Sequence, residues 1–393
     1  VFAMPVATDP CSRMFYDYLT VEQVFDFVLP QVGDTGICYY DRRTGQTLRD
    51  TAPSWKHEGS FSTSVRIRVD GNKLRVEGNP SAVNRLDNLH GFSSIGDCIA
   101  VYNAILREYG DESGTRLPGF TRCTEFGYRQ TEDGSKATKV GNGARIRRID
   151  LTTNRTVGKG NEKPYIRALS TQRLGYKNGH LFEDGWTCDW LARDHYSKAY
   201  GKANAIRKFL FPKCKRNFGE DSEEFRYLRG VAGHCELHGV VRMEQELKSE
   251  YLQREGLEWW GLFDEAQFQA IHSKFLGIDD KLEVMAMDYQ TIAETLLARG
   301  IVSSKQAANA TANEAMKWMH SSTYCPDFKK SQMQSYRARL NRIGLNIAQP
   351  YDITRHSVVT IKRQEEIVVS DVLELPSFYR HPVAPRHLSL VAA

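Results

Sequence analysis

The sequence predicts an α+β protein, in which an antiparallel-sheet domain with flanking helices is followed by a smaller, mostly helical domain. Three separated segments alternate polar and apolar residues with a period of two, which is typical of strands that bury one face. Helices and long loops join these segments, and regular βαβ units are absent from the pattern, so we expect an antiparallel sheet. From about residue 280 the pattern becomes helical. We therefore expect domains over 1–280 and 281–345, and a C-terminal tail over 346–393.

Composition indicates a soluble globular chain. Its 393 residues suffice for two or three domains, and 41% of them are hydrophobic while 26% are charged. No apolar run reaches the roughly 18 residues that would span a membrane, and the pattern of a secretory signal is not found at the N-terminus. The eight cysteines form no CxxC pair, which disfavours a disulfide scaffold or zinc knuckle and favours a reducing cytoplasm.

The first elements are predicted as follows. Residues 19–29, LTVEQVFDFVL, have the pattern of a short helix in which Thr20 and Gln23 are spaced as a capping box. Residues 62–79, STSVRIRVDGNKLRVEGN, predict a β-hairpin that turns at Asp-Gly-Asn. Residues 93–110, SSIGDCIAVYNAILREYG, predict a helix that ends at its glycine.

The second half of the sheet domain contains the three alternating segments. Residues 145–154, RIRRIDLTTN, predict a strand, and residues 157–187 suggest a loop with edge strands. Residues 188–210, CDWLARDHYSKAYGKANAIRKFL, should begin as a strand and end as a helix. Residues 238–251, HGVVRMEQELKSEY, alternate as a strand does, although its charges at i,i+4 also allow a surface helix.

The C-terminal region is predicted from a different pattern. Helical periodicity covers residues 287–300, 303–320 and 331–345, and the last of these carries three arginines. The tail contains one candidate strand at 365–372, EEIVVSDV, and otherwise has the composition of a loosely packed segment.

Basic residues are clustered although the net charge is only +5. Residues 136–177 contain eleven Lys or Arg against two acidic residues, and residues 198–216 contain seven with no acidic residue. Such clusters are typical of proteins that bind a phosphate backbone, although a solvated basic face is the plainer interpretation.

The three predicted strands each carry a polar face, and together these faces could form one site. The carboxylates would hold a divalent metal, the cations would bind phosphate, and a tyrosine hydroxyl could act as nucleophile, with a nearby lysine favouring the phenolate. The three faces are Arg148/Asp150/Thr152, Tyr196/Lys198/Tyr200/Lys202 and Arg242/Glu244/Glu246/Lys248.

Each of these features also has a simpler explanation. Mixed charges line many half-exposed strands, and Tyr200 could be an aromatic side chain that packs on a sheet. His234 and His238 have the HxxxH spacing of a metal pair. In an extended segment they are not neighbours, so we expect a structural or exposed role for both.

Four motifs in this order resemble those of a known family. RRIDLT (147–152), YSKAYGK (196–202) and VVRMEQELKSEY (240–251) follow EGNPSAVNRLDNLHGF (77–92). They resemble the replication initiators of filamentous phages, the gene II/X protein family. YDYLTVEQVF (16–25) is similar to the start of members from phages of Pseudomonas and Vibrio. The resemblance covers most of residues 14–260 and continues more weakly to about residue 345.

The resemblance implies site residues by position. The family's YxK falls on Tyr200 and Lys202, which makes Tyr200 the expected nucleophile. Its RID aspartate falls on Asp150. Its RxExxxK pattern falls on Arg242, Glu244 and Lys248. Tyr196 and Glu246 depart from the family pattern, so it stays open which tyrosine attacks and whether Glu246 contacts the metal. The expected phosphate-binding residues are Arg148, Lys198, Arg242 and Lys248.

The resemblance also implies an activity. Family members nick the viral strand of the double-stranded replicative form, remain attached to its 5′ phosphate through tyrosine, and later rejoin the displaced single strand. The expected cofactor is Mg²⁺ or Mn²⁺. The expected partners are phage origin DNA and the host helicase and polymerase, in the host bacterial cytoplasm and without a membrane. Two other functions remain open, namely a non-catalytic DNA-binding regulator and a nuclease in which water attacks.

Overall fold

A nine-stranded antiparallel sheet forms the centre of the fold within the residues that the structure describes. The computed structural model describes residues 14–57, 61, 64–130, 137–278, 289–321, 323–351 and 373–385. The strands are β1 (Phe15–Val24), β2 (Ile37–Tyr40), β3 (Thr47–Thr51), β4 (Trp55–His57), β5 (Val65–Asp70), β6 (Lys73–Gly78), β7 (Phe126–Gln130), β8 (Ala137–Gly141), β9 (Arg145–Thr156), β10 (Arg173–Leu174), β11 (Lys177–Asn178), β12 (His180–Leu181), β13 (Thr187–Leu191), β14 (His195–Gly201) and β15 (Val240–Lys248). The strand order in the sheet is β12-β13-β14-β15-β9-β1-β6-β5-β4. The predicted α+β class with an antiparallel sheet is confirmed.

Helices pack around this sheet and continue after it. They are α1 (Ile95–Leu106), α2 (Glu162–Leu169), α3 (Lys202–Ala205), α4 (Phe211–Phe218), α5 (Glu223–His238), α6 (Ser249–Arg254), α7 (Ala266–Leu276), α8 (Tyr289–Ala298), α9 (Lys305–His320) and α10 (Ser331–Arg342). A 3₁₀ turn covers Pro80–Ala82, and a π-helical turn covers Ile206–Leu210. None of the helices in the described part of the chain is long and apolar enough to cross a membrane. Helix α2 lies in a stretch predicted as loop and edge strands, because two helical turns are too short to show a clear period.

The helix predicted over residues 19–29 is wrong. Residues 15–24 form β1, which pairs with β6 on one side and with β9 on the other. Leu19 and Val21 alternate into the core and are fully buried. Gln23 bonds Thr121 through its side chain and therefore does not cap a helix. Pairing on both edges outweighs a short local helix signal, because a strand's preference depends on its neighbours.

The two faces of the sheet differ in polarity. Ile149 and Leu151 of β9 are fully buried on the face that packs against α1. Tyr102 of α1 fixes this packing, because its hydroxyl donates to the carbonyl oxygens of Leu19 and Gly78, at 2.7 and 2.9 Å. The opposite face of β9 carries polar side chains. The hairpin of β5 and β6, the helix α1 and the strand character of β9 are confirmed as predicted, although α1 ends at Leu106 and not at the glycine at 110.

The helices α8, α9 and α10 share one hydrophobic cluster. Its buried members include Leu296 of α8, Ala312 and Trp318 of α9, and Leu340 of α10. These helices confirm the helical pattern predicted over residues 287–345. The predicted domain boundaries at 280 and 345 stay predictions, and the strand expected at 365–372 lies outside the described residues.

Residues 373–385, here called the C-terminal strap, pack on the sheet domain. Tyr379 is only 6% exposed and lies in a cluster with residues of α3, α4 and α5. Its hydroxyl donates to Asp87 Oδ1 at 3.1 Å and accepts from the backbone N–H of His90 at 2.9 Å. Arg85 donates a further hydrogen bond to the same hydroxyl. The strap is therefore held against the loop that follows β6, and the tail is not loosely packed here.

We predict that Tyr379→Phe lowers the free energy of unfolding by about 1–3 kcal/mol, because Asp87 and the His90 N–H then lose a buried partner. The measurement is urea denaturation of the full chain. Val383→Ala is the matched control, since Val383 lies in the same strap and is 84% exposed. Its effect should stay within about 0.5 kcal/mol. Equal stability of Tyr379→Phe and the control would show that the strap is not held by this hydroxyl.

Candidate active site

The three polar strand faces lie side by side, as the sequence predicted. Strand β15 pairs with β14 on one side and with β9 on the other. In this register Glu244 lies opposite both Lys198 and Thr152, while Asp150 lies opposite Glu246. Asp150 and Glu244 are thus diagonal neighbours on one face, at the roughly 7–8 Å that is typical of such backbone pairs. The alternating charges of β15 therefore belong to the centre of a sheet, and the alternative surface helix is wrong.

A cavity of about 460 Å³ opens on this face. Its lining includes six of the ten residues that the sequence nominated, namely Arg148, Asp150, Lys198, Tyr200, Lys202 and Glu244. The other four, Tyr196, Arg242, Glu246 and Lys248, are not part of its lining. The cavity therefore selects one tyrosine, two carboxylates and three cations from the predicted set.

Tyr200 lies inside the cavity with its hydroxyl fixed. It donates a hydrogen bond to Glu244 Oε2 at 3.0 Å, and the ammonium of Lys198 lies 5.6 Å from its ring centre. Burial and the charge of Glu244 raise the pKa of Tyr200 well above its ordinary value. The phenol is therefore protonated and has an acceptor in place for its proton. The expectation that a nearby lysine lowers this pKa is wrong for the free protein, because burial and the carboxylate dominate.

Tyr196 lies on the same strand and faces a different partner. Its hydroxyl donates to Asp189 Oδ2 of β13 at 2.8 Å. Burial and this hydrogen bond raise the pKa of Tyr196. Tyr196 lies opposite Glu246, nearer the end of β15 that is distant from Lys202. Its position separates it from the carboxylates that line the cavity.

The two lysines around Tyr200 have distinct environments. Lys198 Nζ donates to Glu244 Oε1 at 2.8 Å, and this ion pair helps to raise the pKa of Lys198 against the effect of burial. Lys202 is only 3% exposed and donates from Nζ to Asn88 Oδ1 at 2.7 Å. Burial and the nearby guanidinium of Arg242 lower the pKa of Lys202 to about 7. Lys202 begins helix α3 and does not extend β14, but its side chain still reaches the cavity.

The carboxylates form an acidic cluster that is only partly neutralised. Arg148 donates two hydrogen bonds of 2.8 Å to Asp150 and also contacts Glu246 Oε2 at 2.9 Å. Burial nevertheless raises the pKa of Asp150, because the bond from Arg148 offsets only part of the burial effect. Burial acts in the same direction on Glu244, but the charges of Lys198 and Arg242 hold the pKa of Glu244 below its ordinary value.

A β-bulge in β1 adds two residues that the sequence analysis missed. Tyr16 lies opposite Leu151 and Tyr18 lies opposite Asp150, so Asp17 is an extra residue in β1. A bulge re-aims side chains locally, and here Asp17 and Tyr18 both reach the polar face and line the cavity. The ring of Tyr18 lies 4.4 Å from the guanidinium carbon of Arg148. The helix predicted for this stretch hid both residues, and no short-range pattern marks a bulge.

Arg242 is fully buried beneath the cavity and does not line it. Its guanidinium donates to Asn154 Oδ1 at 3.1 Å and contacts Asp17 Oδ2 at 3.4 Å. It also donates to the carbonyl oxygens of Asn88 and Leu89. This geometry favours a structural role for Arg242 over the predicted phosphate contact. The guanidinium joins β15 to β9, β1 and the loop after β6.

Asn88 is a further residue that the sequence analysis did not single out. Its amide nitrogen donates to both carboxylate oxygens of Asp17, at 2.9 and 3.0 Å, and its amide oxygen accepts from Lys202. It lies in the segment 77–92 that carries the family resemblance. Asn88 fixes an acidic and a basic group of the cavity in one geometry.

The donor set of the cavity suits Mg²⁺ or Mn²⁺. Asp150 and Glu244 present carboxylate oxygens in one cavity, and a divalent ion usually takes one or two carboxylates together with waters and substrate phosphate. The raised pKa of Asp150 shows that the cluster lacks positive charge. Within the described residues, no group of three or more His, Cys, Asp or Glu side chains could hold a metal by itself. A bound ion would therefore depend on water or on the substrate for its remaining ligands.

The histidines at positions 234 and 238 are neighbours on helix α5, contrary to the extended reading of the sequence. Their ring centres lie 4.5 Å apart. His234 Nε2 lies 2.9 Å from the carbonyl oxygen of Glu374 in the C-terminal strap. The expected structural role of His234 is supported by this contact, which lies outside the cavity lining.

The chain is similar to known proteins over most of its length. A family model that describes the C-terminal part of a phage replication-associated protein, the gene II product, matches residues 296–385. The replication-associated protein of the same name from Escherichia phage If1 is 40% identical over 329 residues, which cover 82% of this chain and 98% of the phage protein. No solved structure matches the chain significantly. The family-model match begins within α8 and ends at the last described residue of the C-terminal strap.

We predict that Arg242→Met lowers the free energy of unfolding by about 3–5 kcal/mol, because Asp17 then keeps a buried charge without its guanidinium partner. Urea denaturation gives the measurement. The control is Lys248→Met on the same strand, where the lysine side chain is 40% exposed and contacts Glu246 at 3.8 Å. The control should cost less than about 1 kcal/mol. A cost for Arg242→Met as small as for the control would exclude the buried guanidinium as the link between the strands.

Proposed function

Because this chain belongs to the inovirus gene II family of replication-associated proteins, we propose that it is a DNA nicking and joining enzyme. It would cut one strand of the double-stranded replicative form at the phage origin and later rejoin the displaced single strand. The observation that carries the proposal is the hydrogen bond from the Tyr200 hydroxyl to Glu244, in a cavity that also holds Asp150 and two lysines. A scaffold protein would have no need for this arrangement.

The proposed nicking step uses Tyr200 as the nucleophile. Its hydroxyl oxygen forms a bond to phosphorus while the bond from phosphorus to the 3′ oxygen breaks. The phenol proton passes to Glu244 Oε2, which already accepts it in a hydrogen bond of 3.0 Å. The 5′ phosphate then remains attached to Tyr200. Rejoining is the reverse exchange, in which a 3′ hydroxyl attacks phosphorus and the tyrosyl oxygen leaves.

Lys202 is proposed as the group that protonates the departing 3′ oxygen. Its lowered pKa of about 7 allows it to hold a proton in one step and release it in another at neutral pH. This role differs from the one expected from the sequence, in which Lys202 would favour the phenolate. Asn88 orients the amine through its hydrogen bond of 2.7 Å.

Asp150 and Glu244 are proposed to hold Mg²⁺ or Mn²⁺. The ion would supply positive charge to the phosphate oxygens on which negative charge develops. Glu246 is a weaker candidate ligand, because it is held by Arg148 and Lys248 and is not among the residues that line the cavity. Arg148 and Lys198 line the cavity and are the proposed phosphate contacts.

The surface next to the cavity fits a DNA partner. After Tyr200, the chain forms α3, the π-helical turn and α4, and five exposed basic residues follow one another there without any acidic residue. These residues are Arg207, Lys208, Lys213, Lys215 and Arg216. Helices α8–α10 would add contacts to the duplex or selectivity for the origin. A host helicase and polymerase would extend the nicked strand.

We predict that Tyr200→Phe abolishes nicking and the covalent adduct, because the ring remains but the attacking oxygen is gone. The measurement is relaxation of supercoiled origin DNA with Mg²⁺, followed by denaturing electrophoresis for a protein–DNA band. Tyr196→Phe is the matched control and should keep the band, since its hydroxyl bonds Asp189.

A band that persists in Tyr200→Phe and vanishes in Tyr196→Phe would reverse the assignment. Relaxation without any covalent band would favour a nuclease that uses water. Specific binding without relaxation would favour a regulator.

We predict that Asp150→Asn raises the metal concentration needed for half-maximal nicking by at least about tenfold, because one charged ligand is lost. The readout is nicking rate against Mg²⁺ and Mn²⁺ concentration. Glu246→Gln serves as the control for a nearby carboxylate outside the cavity lining and should shift the requirement less. An unchanged metal requirement in Asp150→Asn would exclude Asp150 as a ligand.

A further inference from the structure

The rim of the active-site cavity exposes an aromatic side chain on an unusual helical turn. Residues 206–210 form a π-helical turn between α3 and α4. Ile206 and Leu210 are 1% and 9% exposed, whereas Phe209 between them is 60% exposed and still lines the cavity. Such π-helical turns occur mainly at functional sites, because they displace side chains from the regular helical position. Here the turn presents Phe209 to solvent at the cavity mouth.

A second aromatic ring lies on the same rim. Trp186 precedes β13 and also lines the cavity. Its position depends on Gly201, the residue after Tyr200. A Cβ atom at position 201 would lie 2.6 Å from Trp186 Cε3, which is too close for any side chain. The Gly201 N–H also donates to the Trp186 carbonyl oxygen at 3.0 Å. The indole therefore packs against the residue that follows the proposed nucleophile.

Each of these rings is accompanied by a lysine. Lys208 Nζ lies 5.6 Å from the ring centre of Phe209, and Lys163 Nζ lies 4.9 Å from that of Trp186. Single exposed apolar side chains are common on protein surfaces and need no function. Two rings with two cations, both at the mouth of the cavity that holds Tyr200, are the combination that single-stranded nucleic acid recognises. The rings stack on bases and the cations contact the backbone.

We propose that Phe209 and Trp186 form a stacking platform for unpaired nucleotides beside the scissile phosphate. The ligand is single-stranded DNA, and the inference rests on the proposed function in placing DNA in this cavity. Stacking explains how a site built into a concave sheet face receives a phosphate of a duplex, since the strand must first be melted and its bases turned outward. Because every base has a flat face, the platform adds affinity without reading sequence.

The test uses an origin oligonucleotide that carries 2-aminopurine beside the scissile phosphate. Binding is followed by anisotropy and by quenching of 2-aminopurine, in chelator and in a Tyr200→Phe background, so that no cleavage occurs. We expect Phe209→Ala to weaken binding roughly 5- to 100-fold and to remove the quenching, and Phe209→Trp to restore both. Replacing the 2-aminopurine nucleotide by an abasic one should weaken binding by the protein that keeps Phe209 but not by Phe209→Ala.

The matched control is Phe126→Ala. Phe126 is 46% exposed and has Lys139 Nζ 4.1 Å from its ring centre, yet it lies on β7 and is not among the residues that line the cavity. Binding and quenching should be unchanged in this variant. The platform is refuted if Phe209→Ala behaves as Phe126→Ala does, or if the abasic substitution weakens binding equally with and without the Phe209 ring.

The two proposals fail in different ways. Quenching that depends on Phe209, in a wild-type protein that never forms an adduct, would keep the platform and refute the nucleophile. Nicking through Tyr200 with quenching that is independent of Phe209 would keep the nucleophile and refute the platform.

Discussion

The buried guanidinium of Arg242 is the interaction on which the rest of the site depends. It is fully buried at the centre of the sheet, where an unpaired charge would be strongly destabilising. Its partners come from β9, from β1 and from the backbone of the loop after β6. Satisfying this one charge therefore fixes three separate parts of the chain relative to β15. The loop in turn carries Asn88, which holds Asp17 and Lys202 in place.

The reactive groups are held on this frame in a state that suits phosphoryl transfer. Burial keeps the phenol of Tyr200 protonated by raising its pKa, while the charge of Lys198 lowers the pKa of Glu244 and keeps it ionised as the acceptor. Burial also lowers the pKa of Lys202 and raises that of Asp150. The same low-polarity setting thus acts in opposite directions on acids and bases. It prepares a proton acceptor, a proton donor and a place for a cation within one cavity of about 460 Å³.

Period-two alternation was sufficient to predict much of this site from the sequence. It identified β9, β14 and β15, and it correctly placed Asp150, Lys198, Tyr200 and Glu244 on one face. It could not separate Arg242, which is buried, from Lys248, which is exposed, because both occupy the same face of β15. It also missed Asp17 and Tyr18, because a bulge has no periodic signature. Asn88 was missed because its importance comes from contacts across 114 positions of sequence.

The most direct test of the account is peptide mapping of the covalent adduct between the wild-type protein and a labelled origin oligonucleotide. Trypsin cleaves after lysine and arginine, so Tyr196 and Tyr200 fall in separate peptides, 194–198 and 199–202, and Tyr18 falls in a third. The account predicts that the mass of the nucleotide is found on peptide 199–202. Its presence on 194–198 or on the peptide that contains Tyr18 would contradict the assignment of the hydroxyl that Glu244 holds as the nucleophile.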